Sequence, residues 1–241
     1  MPPSASWPSA RLTDLSQGAI WGYVTYPGET SVPLGTSTGP APTATGHKYM
    51  VLAPAGSAWA ISNGFGSLDT TVPGALLRLE KTVPKPGTYG YSATSRPYYS
   101  YEGTFRQDPA SGDVFLLRLS TGELLDQPAK VLPGRWNASA NIHSQFVVGG
   151  VVRSEYTLTV DDAETITTSL GQKPVWLTTI SSQYTVSQRS HLEVTRQWVE
   201  PTSGNYLQAT SRDTALILSD YSVTQIKDDE KISSYSVFHP R

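Results

Sequence analysis

The chain has 241 residues, 18 Lys and Arg against 20 Asp and Glu, a net charge of -2, and no cysteine. A nucleic-acid partner, which needs a clustered basic footprint, is not expected. The lack of thiols excludes disulfide frameworks, thiolate metal sites and cysteine nucleophiles. Charged residues make up only 16% of the chain, against about 25% in an average globular protein, so Ser, Thr, Asn and Gln must supply much of the polar surface.

From the amino end, Met1-Pro2-Pro3-Ser4-Ala5-Ser6 carries neither a basic nor an apolar stretch, so no signal peptide is visible. Gly18 to Gly28 reads as a strand ending in a Pro-Gly turn. Glu29 to Gly46 is rich in Ser, Thr, Pro and Gly and reads as a surface loop. Lys48 to Leu52 and Ser57 to Ile61 are short strand candidates. Gly74 to Glu80, with its run Ala75-Leu76-Leu77-Arg78-Leu79, is the one early helix candidate.

Beyond Lys85 the β signal strengthens. Tyr89, Tyr91, Tyr98, Tyr99 and Tyr101 crowd together, and Val114 to Leu119 is a compact apolar run. Ser144 to Val152 is apolar around Gly149-Gly150, which marks a bulge or tight bend. Ser154 to Val160 alternates with period two, as a half-buried strand does. Val175 to Ile180, Gln183 to Val186, His191 to Val199, Asn205 to Ser211, Ala215 to Val223 and Ile232 to Phe238 continue the series. No run of 18 apolar residues exists to cross a membrane as a helix.

One turn motif occurs twice. Asp108-Pro109-Ala110-Ser111-Gly112 and Glu200-Pro201-Thr202-Ser203-Gly204 share the form acid-Pro-x-Ser-Gly between β-rich segments. Proline presets φ at the second turn position, and glycine supplies the positive φ where the chain reverses. Both are therefore expected as exposed hairpin turns. The whole pattern predicts an all-β chain: a curved antiparallel sheet, open half-barrel or sandwich with long N-terminal loops. Residues 81–241 are expected to form the sheet domain, with residues 1–80 a Gly/Pro-rich β subdomain or added strands.

Three segments carry a resemblance. Pro128 to Trp136 resembles a Pro…Leu-Pro…Gly…Trp segment of poorly characterised bacterial envelope proteins. Glu155 to Ile180, with Ala163 to Thr168 leading to Leu170-Gly171, is similar to their next pair of strands. Gln197 to Gly204 resembles their Trp-x-[Asp/Glu]-Pro-x-[Ser/Thr]-Gly hairpin, which also occurs in the convex-sheet envelope proteins typified by LolA and RseB. The resemblance covers residues 85–220. It implies a curved antiparallel sheet with an apolar concave face, exported to the envelope, and no catalytic residues.

The residues themselves offer few sites. Tyr98, Tyr99 and Tyr101, with Trp136, could form a stacking platform for sugar or peptide, since aromatic rings combine apolar area with a polar tip. The alternative is that tyrosine at two-residue spacing is what any strand favours. His47, His143, His191 and His239 show no metal-site spacing. Asp161-Asp162 with Glu164, and Asp228-Asp229-Glu230, lack the form of a calcium loop and read as solvated turns. No Gly-x-Ser-x-Gly elbow and no phosphate loop is present. No metal and no cofactor is implied. The expected function is a non-enzymatic, exported cell-envelope protein, extracellular or periplasmic, that binds a hydrophobic or glycan ligand or a protein partner through its sheet and loops. The alternatives are a carbohydrate-binding module with the tyrosine platform and a glycan-acting hydrolase using paired carboxylates.

Overall fold

The computed structural model describes residues 9–26, 46–84, 98–168, 171–186, 189–216 and 226–237. In chain order its strands are β1 (Ala10–Arg11), β2 (Ala19–Tyr26), β3 (Gly46–Pro54), β4 (Ala75–Pro84), β5 (Tyr98–Gln107), β6 (Val114–Arg118) and β7 (Leu124–Leu132). There follow β8 (Arg135–Trp136), β9 (Asn141–Val148), β10 (Val151–Thr168), β11 (Gly171–Val186), β12 (Arg189–Val199), β13 (Tyr206–Leu216) and β14 (Ile226–Val237). One short helix, α1 (Ala58–Ser62), precedes β4.

Twelve strands form one antiparallel sheet in the order β7-β6-β5-β4-β3-β2-β14-β13-β12-β11-β10-β9. The strands contributed before residue 85 stand in the middle of that order, so along the hydrogen-bonded ladder β5 to β7 are joined to β9 to β14 through β4, β3 and β2. The boundary expected near residue 80 falls inside β4. The outer strands, β7 and β9, are consecutive along the main sheet's path, with only β8 between them. The sheet curls until these two edges face each other, without closing into a barrel. Side chains bridge the seam instead: Tyr156 Oη donates to Val131 O at 2.9 Å, Ser144 Oγ donates to Lys130 O at 2.7 Å, and the Asp126 carboxylate accepts from Gly149 and Gly150 N–H, each at 2.8 Å. Occupied in this way, the edges are poor templates for pairing with another chain.

Alternation places one apolar set inside the curl. Trp21 and Tyr23 of β2, Met50 of β3, Leu76 of β4, Leu116 of β6, Val131 of β7, Phe146 of β9 and Leu158 of β10 are buried in one core cluster, together with Trp136, Trp176 and Tyr206. Tyr23 stacks on Tyr206 with ring centroids 4.7 Å apart and donates its hydroxyl to Tyr206 O, so its polar tip is satisfied within the core.

β3 and β4 are apolar on their outer face as well. Val51, Ala53, Leu77 and Leu79 form a second cluster with Ala60 of α1, flanked by Trp59, Phe65 and Leu68. This corrects two expectations. Of the segment Gly74 to Glu80, Ala75 onward is strand, not helix, with Gly74 in the preceding turn: its apolar run, interrupted only by Arg78, arises because both faces of β4 are covered, and such a run has no period to identify it. Ser57 to Ile61 is helical rather than extended, with Ser57 as N-cap accepting from Ala60 N–H.

A third correction concerns Asp161-Asp162, which lie within β10 rather than in a turn. A bulge interrupts the β10–β11 register between Val160 and Asp162, and Asp161 accepts from Thr179 Oγ1 while Asp162 accepts from Ala163 N–H. Asp228, Asp229 and Glu230 likewise lie in β14, paired to β13 and β2. The expected loop over residues 29–45, together with Tyr89, Tyr91 and the amino-terminal start, lies outside the described residues.

The two Pro-x-Ser-Gly motifs are the β5–β6 and β12–β13 turns, built alike. Gly112 N–H donates to Asp108 O and Asp108 N–H to Asp113 O, both at 2.8 Å; Gly204 N–H donates to Glu200 O and Glu200 N–H to Asn205 O, both at 2.9 Å. In each the serine hydroxyl donates to the leading acid, Ser111 to Asp108 at 2.6 Å and Ser203 to Glu200 at 2.8 Å. Both glycines have positive φ, +80° and +64°. The first is exposed at its tip as expected, at Pro109, Ala110 and Ser111, with only Gly112 buried, whereas in the second Pro201 and Ser203 are buried and Thr202 alone is exposed. Residues 9–18 lie across both: Leu12 N–H donates to Gly134 O, Thr13 N–H to Thr202 O, and Gln107 links Leu15 N–H and Thr13 O to Gly112 O. Leu12 and Leu15 are buried beneath this strap, which plugs one end of the curl.

Candidate functional site

The interior of the curl is not completely filled. Between the plug and the far end of the strands lies a cavity of about 440 Å³, within the range of about 300–1,000 Å³ usual for small-molecule sites. Its walls come from most of the sheet: Trp21, Met50, Leu52 and Leu76 on one side, Leu116, Val131, Phe146 and Tyr156 on the other, with Leu15 of the plug at its base. Three charged side chains reach it. Arg78 comes from β4, Glu102 from β5 and Glu193 from β12.

Arg78 has no counter-ion among the described residues. Its guanidinium carbon stands 6.0 Å from the Phe105 ring centroid, and its Nε is buried without a hydrogen-bond acceptor. Glu102 accepts from Ser100 Oγ at 2.8 Å, and Glu193 is engaged by another group of the protein. Tyr156, deep in the wall, has its hydroxyl pushed up from the ordinary tyrosine value by burial, with nearby Arg78 acting weakly in the other direction. It therefore stays a neutral hydrogen-bond donor to Val131 O.

A second hollow of about 780 Å³ lies outside the plug, bordered by Arg11, Asp14, Arg106 and Asp108. Its acids have local structural partners. Asp14 is held below the usual carboxylate range by the Ser16 N–H, and Asp108 by the hydroxyl and N–H of Ser111. These are turn-forming contacts in open solvent, so the interior cavity is the better candidate.

The residues singled out from sequence are distributed otherwise. Trp136 is fully buried in the main core. Tyr101 packs against the outer cluster and shares a hydrogen bond with Thr104 Oγ1 at 2.6 Å. These two rings therefore stand in different clusters. Tyr98 and Tyr99 occupy β5, and their side chains lie outside the described ones. Arg78, Glu102 and Glu193 were not found by sequence reasoning. A charged residue inside an apolar run, as Arg78 is among Leu76, Leu77 and Leu79, was the one available signal. Among the described residues no cluster of His, Asp or Glu could hold a metal ion.

No family model matches the chain, and no curated protein matches it. Among solved structures, the crystal structure of a "putative lipoprotein" from Parabacteroides distasonis is similar at a TM-score of 0.40 and 10% identity, covering 94% of this chain and 97% of that one. At that level of likeness no functional statement passes from one protein to the other.

Proposed function

We propose that the chain is a non-catalytic binding protein, exported to the bacterial cell envelope, which holds a small apolar ligand inside its curled sheet. The observation that carries the reading is the 440 Å³ cavity walled by Trp21, Met50, Leu52, Leu116 and Phe146. A cavity of that lining favours apolar guests, because burying apolar surface contributes about 25 cal/mol per Å². Export is supported by the low charge, the Ser/Thr-rich texture and the resemblance of residues 85–220 to envelope proteins.

The neutral fluorophore N-phenyl-1-naphthylamine should bind the purified chain saturably and brighten. Leu52→Trp, which pushes a larger ring into the cavity, should weaken that binding by about tenfold or more while the unfolding free energy measured in urea falls by no more than the usual cost of overpacking, about 1–3 kcal/mol. Absence of saturable binding by the wild type, or equal binding by the variant, overturns the reading. For export, fractionation of cells carrying the native gene should place the protein in the envelope fractions; recovery from the cytoplasm alone refutes that part.

A second reading rests on Glu102 and Glu193 lining one cavity, the pairing that a glycan hydrolase would use as acid and base. Ser120, Ser182, Gln197 and Asn205 also line the cavity, but its wall is built mainly from apolar side chains such as Trp21, Met50, Leu116 and Phe146, which favours binding over turnover. Release of reducing ends from a glycan panel, abolished by both Glu102→Gln and Glu193→Gln, would reverse that preference.

A further inference from the structure

We infer that the ligand of the interior cavity is an amphiphile with a zwitterionic head, its anionic group meeting Arg78 and its cationic group meeting Glu102. This rests on the ligand-binding reading above and specifies its chemistry. The two side chains are brought together by an irregularity in the sheet. Arg78 pairs with Gly103, Leu79 pairs with Tyr101, and Glu102 is the extra residue of the bulge between them. The bulge turns Glu102 to the cavity face that Arg78 occupies, where a regular strand would have paired Glu102 with Leu79 and sent it to the outer face.

Despite that proximity the two do not pair: Arg78 forms no ion pair with any described residue. Glu102 is held by Ser100 Oγ through Oε1, leaving Oε2 without a partner among the described residues. The Arg78 Nε is buried without an acceptor, which is costly, and the half-buried Glu102 carboxylate holds one hydroxyl on one of its two oxygens. A ligand that reaches both would supply the partners they lack. A purely anionic head would answer Arg78 but face repulsion from Glu102 and Glu193. A purely cationic head would answer Glu102 while leaving the guanidinium unpaired. A head carrying both charges complements the pair, with the tail lying among Trp21, Met50, Leu52 and Phe146.

The test is displacement of N-phenyl-1-naphthylamine from the full chain by four ten-carbon amphiphiles, each below its micelle-forming concentration: decylphosphocholine, decyl sulfate, decyltrimethylammonium and 1-decanol. The zwitterion should displace the probe at a concentration about tenfold below each of the others. Arg78→Met should erase its advantage over decyltrimethylammonium, and Glu102→Gln its advantage over decyl sulfate. Equal displacement by all four in the wild type overturns the head-group inference and leaves the cavity reading standing. Failure of the probe itself to bind overturns both. The wild-type comparison decides the matter even where a variant fails to fold.

Discussion

Gly134→Ala should be among the most damaging single substitutions available in this chain, costing about 3 kcal/mol or more, at the upper end of what overpacking inflicts. Gly134 sits where three segments cross. Its N–H donates to Asp113 Oδ1 at 2.6 Å, its carbonyl accepts from Leu12 N–H of the plug at 2.9 Å, and it leads into buried Trp136. A methyl group there would run into the carbonyl oxygen of Ser111, Gly112 C at 2.5 Å and Asp113 N at 2.6 Å. All three are backbone atoms of the first turn, so no side-chain rotation relieves the clash. The turn, the plug and β8 must separate. Gly149→Ala is the control: φ is +58° and nothing lies within 4 Å of the added carbon, so only the left-handed backbone cost of about 1–2 kcal/mol applies. Urea midpoints of the two variants measure the contrast. Equal shifts would mean that the crossing yields easily.

Asp69→Asn should cost about 2–3 kcal/mol, and the loss should depend on pH. Asp69 anchors the 63–74 segment to the outer face of the sheet. Its carboxylate accepts from Arg118 Nε at 3.0 Å and Nη2 at 2.7 Å, and from Thr104 Oγ1, which in turn meets Tyr101 Oη. The Asp69 side chain is only 4% exposed and that of Arg118 24%. Removing one partner of a buried pair costs about 3–5 kcal/mol, and the partial exposure of Arg118 lowers that figure here. Asparagine keeps the shape and tolerates the observed φ of +50°, so the change isolates the charge.

The hydrogen bonds from Arg118 hold the Asp69 carboxyl below its ordinary value, against the opposing effect of burial. In the unfolded chain the same group titrates near about 3.9. The folded pKa is thus the depressed one: the carboxylate's contribution is complete above the unfolded value and is lost as pH falls through the folded value. The difference in stability between wild type and Asp69→Asn should be constant from pH 7 to about 5 and shrink below about pH 4. A gap that stays level to about pH 3, or a variant as stable as the wild type at pH 7, would show that the network is not needed.

Local chemistry made the strands and turns legible. Ser154 to Val160 alternates because one face is buried and the other is wet, and the twin Pro-x-Ser-Gly turns need only residues within five positions of one another. Gly149-Gly150 was recognisable as a break, and in the fold it is the β9–β10 hairpin. Reading failed where burial came from elsewhere in the chain. Gly74 to Glu80 looked helical because α1 and the 63–74 segment cover a face that an isolated hairpin would leave wet. Asp161 looked like a turn because a bulge places a polar pair inside a long strand.

What the sequence determined by itself is the class and its local devices: alternation chose strand over helix, and proline, serine and glycine built the same hairpin turn twice. Only the tertiary structure decided that residues 9–18 lie across both turns and plug one end, that β2 to β4 form the middle of the sheet, and that Arg78, Glu102 and Glu193 share one cavity. Those residues come from three strands whose sequence separation carries no signal. Their meeting depends on how far a twelve-stranded sheet curls and on a single extra residue in β5, neither of which a pattern of period two can encode.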